Sequence, residues 1–198
     1  TMPATEPAQA TQTTSSQPAE SIAEISTLLF QDDFQDKNSQ GWVVNAGWNV
    51  LQSENRYFFG SEVAGGAYVK DGAGWSDYAY HSSFRVNKGV LFITINLSKS
   101  ARYILRLGGE SVYLVKEQPA DTFEVLAQAG PITTGAWHRL TFASLQGHVQ
   151  VYIDKLLWFD VIDDNPVIGG TIGVGALENS RVRVDNILVS RITGELPE

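Results

Sequence analysis

The chain has 198 residues, a formal net charge of −8 and no cysteine. The acidic balance disfavours nucleic acid and anionic membrane surfaces as partners, because both attract basic protein surfaces. The lack of cysteine excludes a cysteine nucleophile, thiolate metal sites and thiol redox chemistry. Charged residues make up 18% of the chain and there are 18 glycines, which is typical of a turn-rich β protein.

Residues 1–26 differ in composition from the rest of the chain. The first 20 residues are rich in Thr, Ser, Pro, Ala and Gln and include no aromatic residue. Such a segment cannot bury enough apolar surface to offset its conformational entropy. We expect a flexible linker or stalk that tethers the domain 27–198 outside the cell, with membrane attachment only through an upstream anchor. An ordinary disordered tail is the alternative.

The remainder of the chain shows the periodicity of β-strands. Apolar and polar side chains alternate along 78–86, 91–97, 103–107 and 148–154, and turn residues separate these runs. Residues 78–114 predict an antiparallel meander of four strands, with one apolar face and one mixed face. No run favours a long helix. About 12 to 14 short strands imply two packed sheets.

Six short motifs, in this order, resemble those of concanavalin A-like lectin/glucanase domains. The motifs are Leu29-Phe30-Gln31-Asp32-Asp33-Phe34 with Gly41-Trp42 and Gly47-Trp48-Asn49-Val50, Trp75-Ser76-Asp77-Tyr78, Gly135-Ala136-Trp137-His138-Arg139-Leu140, Val151-Tyr152-Ile153-Asp154, Gly170-Thr171-Ile172-Gly173-Val174-Gly175 and Val184-Asp185-Asn186-Ile187-Leu188-Val189. The resemblance implies an all-β, two-sheet antiparallel jelly-roll sandwich with a glycan site or a catalytic site on its concave face. Lectins, laminin G-like modules and glycoside hydrolases share this fold, so the fold does not choose the function.

The sequence lacks the motif of the β-glucan hydrolases that the resemblance includes. The resemblance associates β-glucan hydrolysis with Glu-x-Asp-x-x-Glu on one strand, and that string is absent. Residues 78–109 contain no Asp or Glu, so an acid/base pair would have to come from loops. The available loop carboxylates are Glu110, Glu117, Glu124 and Glu178. This pattern favours a protein that is not an enzyme.

The mixed face of the predicted meander is the candidate glycan site. Aromatic rings stack on the apolar faces of sugars, and amide and guanidinium groups bond their hydroxyls. We predict ligand contacts from Arg85, Asn96, Arg106, Tyr113, His81 and the loop residue Trp75. Positive charge on an otherwise acidic protein suits an acidic sugar. The alternative is a solvated sheet face whose arginine stems cover apolar surface.

Calcium is the one metal that the sequence suggests. The resemblance implies a structural Ca²⁺ between the first and last strands, where Asp33 and Asp185 stand, held by acidic side chains and backbone carbonyls. The residues 163–165 form a second oxygen-rich loop. Alternatively, both aspartates bond only backbone amides.

These observations favour a non-catalytic carbohydrate-binding or adhesion module of the cell envelope or the secreted fraction. Two alternatives stay open. A glycoside hydrolase-like enzyme would need two carboxylates about 5 to 10 Å apart on the concave face. A protein–protein interaction module would show an exposed apolar patch without a groove. The sequence does not specify an oligomeric state.

Overall fold

The computed structural model describes residues 27–53, 55–194 and 196. The predicted linker, 1–26, lies outside the described residues. The described part contains 15 strands and no helix, and therefore no helix that could cross a membrane. In chain order the strands are β1 (Leu28–Asp32), β2 (Trp42–Val44), β3 (Trp48–Ser53), β4 (Arg56–Ser61), β5 (Gly65–Val69), β6 (Tyr78–Lys88), β7 (Val90–Leu97), β8 (Arg102–Gly108), β9 (Val112–Glu117), β10 (Phe123–Ala129), β11 (His138–Leu145), β12 (His148–Ile153), β13 (Leu156–Ile162), β14 (Thr171–Ala176) and β15 (Arg181–Arg191).

The strands form two antiparallel sheets, which confirms the predicted all-β sandwich. The back sheet has the order β13-β12-β11-β6-β15-β4-β3, and β1 pairs with β15 outside this path. The front sheet has the order β10-β9-β8-β7-β14-β5-β2. One continuous core of buried apolar side chains lies between the two sheets.

The period-two pattern of β7 and β8 explains why these strands hold their register. Alternate residues of both strands are completely buried, and they meet as cross-strand partners. The partners are Leu91 with Leu107, Ile93 with Leu105, and Ile95 with Tyr103. A slip of one residue would turn this whole set to solvent, so burial of the apolar face fixes the register.

The predicted four-stranded meander over 78–114 is wrong in its first strand. β6 pairs with β11 and β15 in the back sheet, whereas β7, β8 and β9 lie in the front sheet. The chain changes sheets at Gly89, whose φ is +76° and whose added Cβ would lie 2.7 Å from the Ser180 Cα. Alternation tells which residues of a strand share a face, but it does not tell which sheet the strand joins.

A buried ion pair links the front sheet to the connection between β13 and β14. Lys116 Nζ lies 2.8 Å from Asp163 Oδ1, and both side chains are almost fully buried. Tyr103 donates a hydrogen bond to Asp163 Oδ2 at 2.7 Å, and the Val167 amide donates to the Tyr103 hydroxyl at 3.0 Å. Asp163 of the oxygen-rich loop is thus neutralised by a lysine of the chain itself.

This pair makes the stability of the fold depend on pH. Burial raises the pKa of Asp163, but hydrogen bonds from Lys116, Tyr103 and the Asn165 amide outweigh it and hold that pKa below its usual range. A carboxyl group with a depressed folded pKa stabilises the protein above its unfolded pKa of about 3.9. The stabilisation is lost as the pH falls through the folded value.

We expect Asp163→Asn to lower the free energy of unfolding by about 3 to 5 kcal/mol at pH 7, because Lys116 keeps a buried charge without a counter-charge. The difference from the wild type should shrink below about pH 4, where the wild-type carboxyl group also becomes neutral. Urea denaturation between pH 7 and pH 3 measures both effects. A difference that does not change with pH would contradict this account.

Candidate functional site

A cavity of about 910 Å³ lies on the outer face of the front sheet. Strands β5, β7, β8 and β14 supply most of its lining, and Lys99 and Phe123 lie at its border. We call this cavity the groove. The strands are in register, so their outward side chains form rows across the sheet.

Two rows define the floor of the groove and its surroundings. The first row, from β10 to β5, is Gln128, Tyr113, Arg106, Phe92, Gly175 and Gly66. The second, from β9 to β5, is Val115, Ile104, Thr94, Gly173 and Tyr68. Each row begins with side chains and reaches bare glycine backbone.

The glycines make part of the floor flat. An added Cβ on Gly175 would lie 3.6 Å from the Phe92 side chain, an ordinary contact distance. A side chain at this position would therefore enter the groove without a backbone clash. Phe92 and Tyr68 adjoin the bare backbone, so a flat ring has room to lie against an aromatic side chain.

One end of the groove is basic. Lys70, Lys99 and Arg102 line it. Arg102 forms a close ion pair with the buried carboxylate of Glu117, whose other oxygen accepts the Asp121 amide at 2.9 Å. Both oxygens of Glu117 thus have partners within the chain. Among the described residues that line the groove there is no Asp or Glu, so no carboxylate pair faces it.

Arg106 and Tyr113 lie together on the predicted face. The Arg106 guanidinium is 5.3 Å from the centre of the Tyr113 ring. Gln128 donates a hydrogen bond to the Tyr113 hydroxyl at 3.2 Å. These two residues are the part of the predicted constellation that the structure brings beside Phe92 of the groove.

Asn96 does not lie on this face. It has φ +51° at an irregularity in the pairing of β7 with β14, and its exposed fraction is 2%. Its Nδ2 donates to Ser144 Oγ at 3.1 Å and to the Val167 carbonyl at 2.8 Å. Its amide donates to the Tyr78 hydroxyl at 2.7 Å. The bulge breaks the alternation that the sequence suggested, and Asn96 points inward while Leu97 lines the groove.

His81 and Arg85 lie on the other face of the sandwich. Both belong to β6 of the back sheet, so their predicted place beside Arg106 is wrong. His81 Nδ1 is 3.0 Å from Thr141 Oγ1 of the neighbouring strand, and burial lowers the pKa of this histidine. The cause of the error is the change of sheet at Gly89.

Trp75 is a half-buried packing residue of its loop. Its ring meets Tyr78 edge-on at 6.0 Å between centroids and lies 6.3 Å from Phe30. Its carbonyl accepts a hydrogen bond from Gly170 at 2.8 Å. Trp75 does not line the groove, so the predicted stacking residue there is replaced by Phe92 and Tyr68.

The two predicted calcium ligands are close enough for the negative charge of Asp33 to help raise the pKa of Asp185. Asp185 is completely buried, and burial raises its pKa. Its Oδ1 accepts the Asn186 amide at 2.7 Å. Its Oδ2 forms an ion pair with Arg56 Nη2 at 2.8 Å, and this contact acts against the rise that burial causes in the pKa of Asp185.

A buried carboxylate near a second carboxylate fits the oxygen ligands that Ca²⁺ prefers. The Asp33 carboxylate is exposed, and its Oδ1 accepts the Gln35 amide at 3.1 Å. Arg56 is the competing cation. No group of three or more His, Cys, Asp or Glu residues that could hold a metal occurs in the described ranges.

Sequence reasoning missed the glycine floor and the lysines of the groove. The signal was present, because Gly173 and Gly175 are two residues apart and therefore face the same side of a strand. Lys70 and Lys99 lie outside the strands, and periodicity gives no position for residues in turns.

No protein-family model matches the chain, and no curated protein matches its sequence. Solved structures do match. The carbohydrate-binding module CBM66 from Bacillus subtilis aligns with a TM-score of 0.62 and 17% identity, over 77% of this chain and 97% of that one. A protein of unknown function with a galectin-like fold, also from Bacillus subtilis, aligns at 0.69 and 12%, over 83% and 96%.

The catalytic domain of an endo-1,3-beta-glucanase (laminarinase) from Thermotoga petrophila RKU-1 is a third similar structure. Its TM-score is 0.59 at 12% identity, over 85% of this chain and 99% of that domain. Identities this low show the fold alone. The chain is a concanavalin A-like jelly-roll sandwich, as the six motifs predicted.

We expect Asn96→Ala to lower the free energy of unfolding by about 2 to 4 kcal/mol, because it leaves the Val167 carbonyl without its donor and puts alanine at positive φ. Asn96→Gly is the matched control. It loses the same amide but tolerates the backbone, so it should be about 1 kcal/mol more stable than the alanine variant. Urea denaturation measures both. Wild-type stability in both variants would contradict a structural role for Asn96.

Proposed function

We propose that the protein is a non-catalytic carbohydrate-binding module that holds a glycan in the groove of the front sheet. The observation that carries this proposal is a groove with a bare glycine floor beside Phe92 and Tyr68. A pyranose ring presents an apolar face, which packs well against an aromatic ring and exposed backbone.

The polar groups around the groove suit sugar hydroxyls. Arg106 and the Tyr113–Gln128 pair continue the row that starts at the glycine floor. Amide, phenol and guanidinium groups supply both donors and acceptors. A glycan that extends along this row would pass from stacking contacts to hydrogen bonds.

The basic end favours an acidic sugar. Lys70, Lys99 and Arg102 concentrate positive charge in a chain with a net charge of −8. Glu117 offsets only one of these charges. A carboxylate or sulfate on the glycan would find two lysines at this end of the groove.

A binding role is favoured over hydrolysis by the groups that face the groove. Hydrolysis of a glycoside needs two carboxyl groups about 5 to 10 Å apart. Glu117, the carboxylate beside the groove, is already bound on both oxygens. The similarity to CBM66, named as a carbohydrate-binding module, supports the binding role, and the similarity to a glucanase domain keeps sugar processing as the alternative.

A protein-interaction module is the second candidate, and one observation favours it. β10 is an edge strand of the front sheet and β13 is an edge strand of the back sheet. The two strands contact each other along one side of the sandwich. Large apolar side chains are exposed along this edge, namely Phe123, Val125, Leu156, Leu157 and Ile162. Exposed apolar edges of this kind are frequent interaction surfaces.

We place the domain outside the cell or in the cell envelope, tethered by residues 1–26. The composition of that segment and the proposed glycan ligand support this location. The test is to treat intact cells that produce the full chain with a protease and then to detect the domain in the cells and in the medium. Protection of the domain from protease in intact cells would overturn this proposal.

We expect Gly175→Val to abolish glycan binding, because the added side chain fills the floor beside Phe92. The melting temperature should stay near that of the wild type, since the added Cβ makes only ordinary contacts and valine suits a strand. The measurement is a glycan array with neutral and acidic members, followed by isothermal titration of the best ligand.

The matched control is Gly130→Val, where an added Cβ meets nothing within 4 Å. It should bind as the wild type does. Selective binding of uronate-containing or sulfated glycans would support the acidic preference, whereas binding of neutral glycans alone would reject it. If the wild type binds no glycan, the proposal fails and the exposed edge of β10 and β13 becomes the leading site.

We also propose that Ca²⁺ binds between Asp33 and Asp185. The nearness of the two carboxylates supports this site, and Arg56, which pairs with Asp185 Oδ2, is the cation that calcium would displace. The ion would hold β15 to the segment after β1 and would have no part in chemistry.

Calcium at 100 times its dissociation constant should stabilise the wild type by about 2.7 kcal/mol. Asp185→Asn should lose this response, and Arg56→Met should show a larger one because the competing cation is gone. Differential scanning calorimetry with calcium or with a chelator measures the effect, with the exposed substitution Asp71→Asn as control. No response in either the wild type or Arg56→Met would exclude the ion.

A further inference from the structure

The outer face of the back sheet carries a second constellation of arginine and aromatic side chains. Arg85 of β6 and Arg183 of β15 are direct cross-strand partners. Trp137 lies next to Arg85, because His138, the residue that follows it, pairs with Phe84. Phe58 of β4 completes the group, which we call the arginine cluster. It lies on the side of the sandwich opposite to the groove.

Ring contacts hold the arginine cluster together. The Arg183 guanidinium lies 4.3 Å from the centre of the Phe58 ring. The rings of Phe58 and Trp137 meet at 71°, with 6.3 Å between their centroids. Phe58 is buried beneath these neighbours, whereas 38% of Trp137 is exposed. The cluster therefore presents a partly exposed tryptophan ring beside Phe58, whose ring Arg183 also contacts.

Arg85 has no carboxylate partner among the described residues. Like charges on directly opposite residues of a sheet destabilise it. None of the ion pairs among the described residues includes Arg85, although the chain has a net charge of −8. Its Nε is buried and has no hydrogen-bond partner. A buried donor without a partner destabilises the fold.

A cavity of about 480 Å³ adjoins the arginine cluster on the same face. Arg183 and Phe58 line one side of it, and Gly60 gives a bare backbone floor opposite Arg183. Asn49 and Gln52 add side-chain amides. Glu62 also lines it, but this carboxylate lies 3.3 Å from Arg181 and is balanced by it. The cavity can thus hold a ring with hydroxyl groups beside the Arg183 guanidinium group.

We propose that the arginine cluster is a second binding site, for a sugar ring that carries a carboxylate or a sulfate group. The guanidinium fork of an arginine bonds such an oxyanion through two parallel N–H donors. An anion between Arg85 and Arg183 offsets their mutual repulsion. The sugar ring packs on Trp137 or enters the cavity at Gly60. This site does not depend on the groove of the front sheet.

The test is a titration of the full chain, followed through the indole N–H resonance of Trp137, which Trp137→Phe identifies. The probes are glucuronate, glucose 6-sulfate and glucose. We expect a saturable shift with at least one of the two acidic sugars, whose comparison separates carboxylate from sulfate, and no shift with glucose. An equal shift with glucose, or none with either acidic sugar, overturns the proposal. A shift produced by poly-glutamate alone does so as well, because it indicates an acidic protein partner.

Arg85→Met should weaken binding of the acidic sugar by about tenfold or more, since it removes a charge-assisted bidentate contact. Arg191→Met is the matched control, an exposed arginine at the end of the same sheet, and should change the affinity by less than about twofold. Gly175→Val alters only the groove and should leave this titration unchanged. The experiment therefore tests the arginine cluster as a binding site separately from the groove. An unchanged affinity in Arg85→Met contradicts the site.

Stability gives a second readout. Arg85→Met should keep or raise the melting temperature, because it removes an unsatisfied buried donor and a like-charge pair. A salt-bridging or packing arginine would show the opposite. A fall of several degrees would therefore assign Arg85 to the fold and overturn its role in binding.

Discussion

Two sheets that share one core must each turn alternate side chains inward, and the other features of the molecule depend on this constraint. The inward rows of β7 and β8 fix the register by burying Leu91, Ile93 and Ile95 against their partners. The same register aligns the outward rows. Core packing therefore also shapes the groove. Phe92 and Gly175 are neighbours because the buried residues fix the register of their two strands.

Buried hydrogen bonds and an ion pair connect the two sheets inside the sandwich. Asn96 on the front sheet bonds Ser144 of the back sheet, and Lys116 holds Asp163 at the end of β13. The Asn96 Nδ2 group and the Lys116–Asp163 pair form hydrogen bonds in the interior, which offset the cost of removing these groups from water. Buried side-chain atoms without a hydrogen-bond partner occur in both sheets, among them Asn96 Oδ1 in the front sheet and Arg85 Nε in the back sheet.

The two faces of the sandwich offer different chemistry. The front face combines bare backbone, aromatic rings and lysines, which suits an extended glycan. The back face presents two arginines on neighbouring strands close to an exposed tryptophan, which suits a single charged group. Binding on both faces would let one small domain bridge two acidic chains, as multivalent modules do when their sites act independently.

The sequence by itself determined the fold class and the strand faces, because period-two alternation and turn residues are local properties. It also identified Arg106 and Tyr113 on one face. Only the tertiary structure decided that β6 leaves β7 for the other sheet, which separates His81 and Arg85 from that face. It alone decided that a bulge turns Asn96 inward. Both outcomes depend on long-range strand pairing, and no local pattern encodes the partner of a strand.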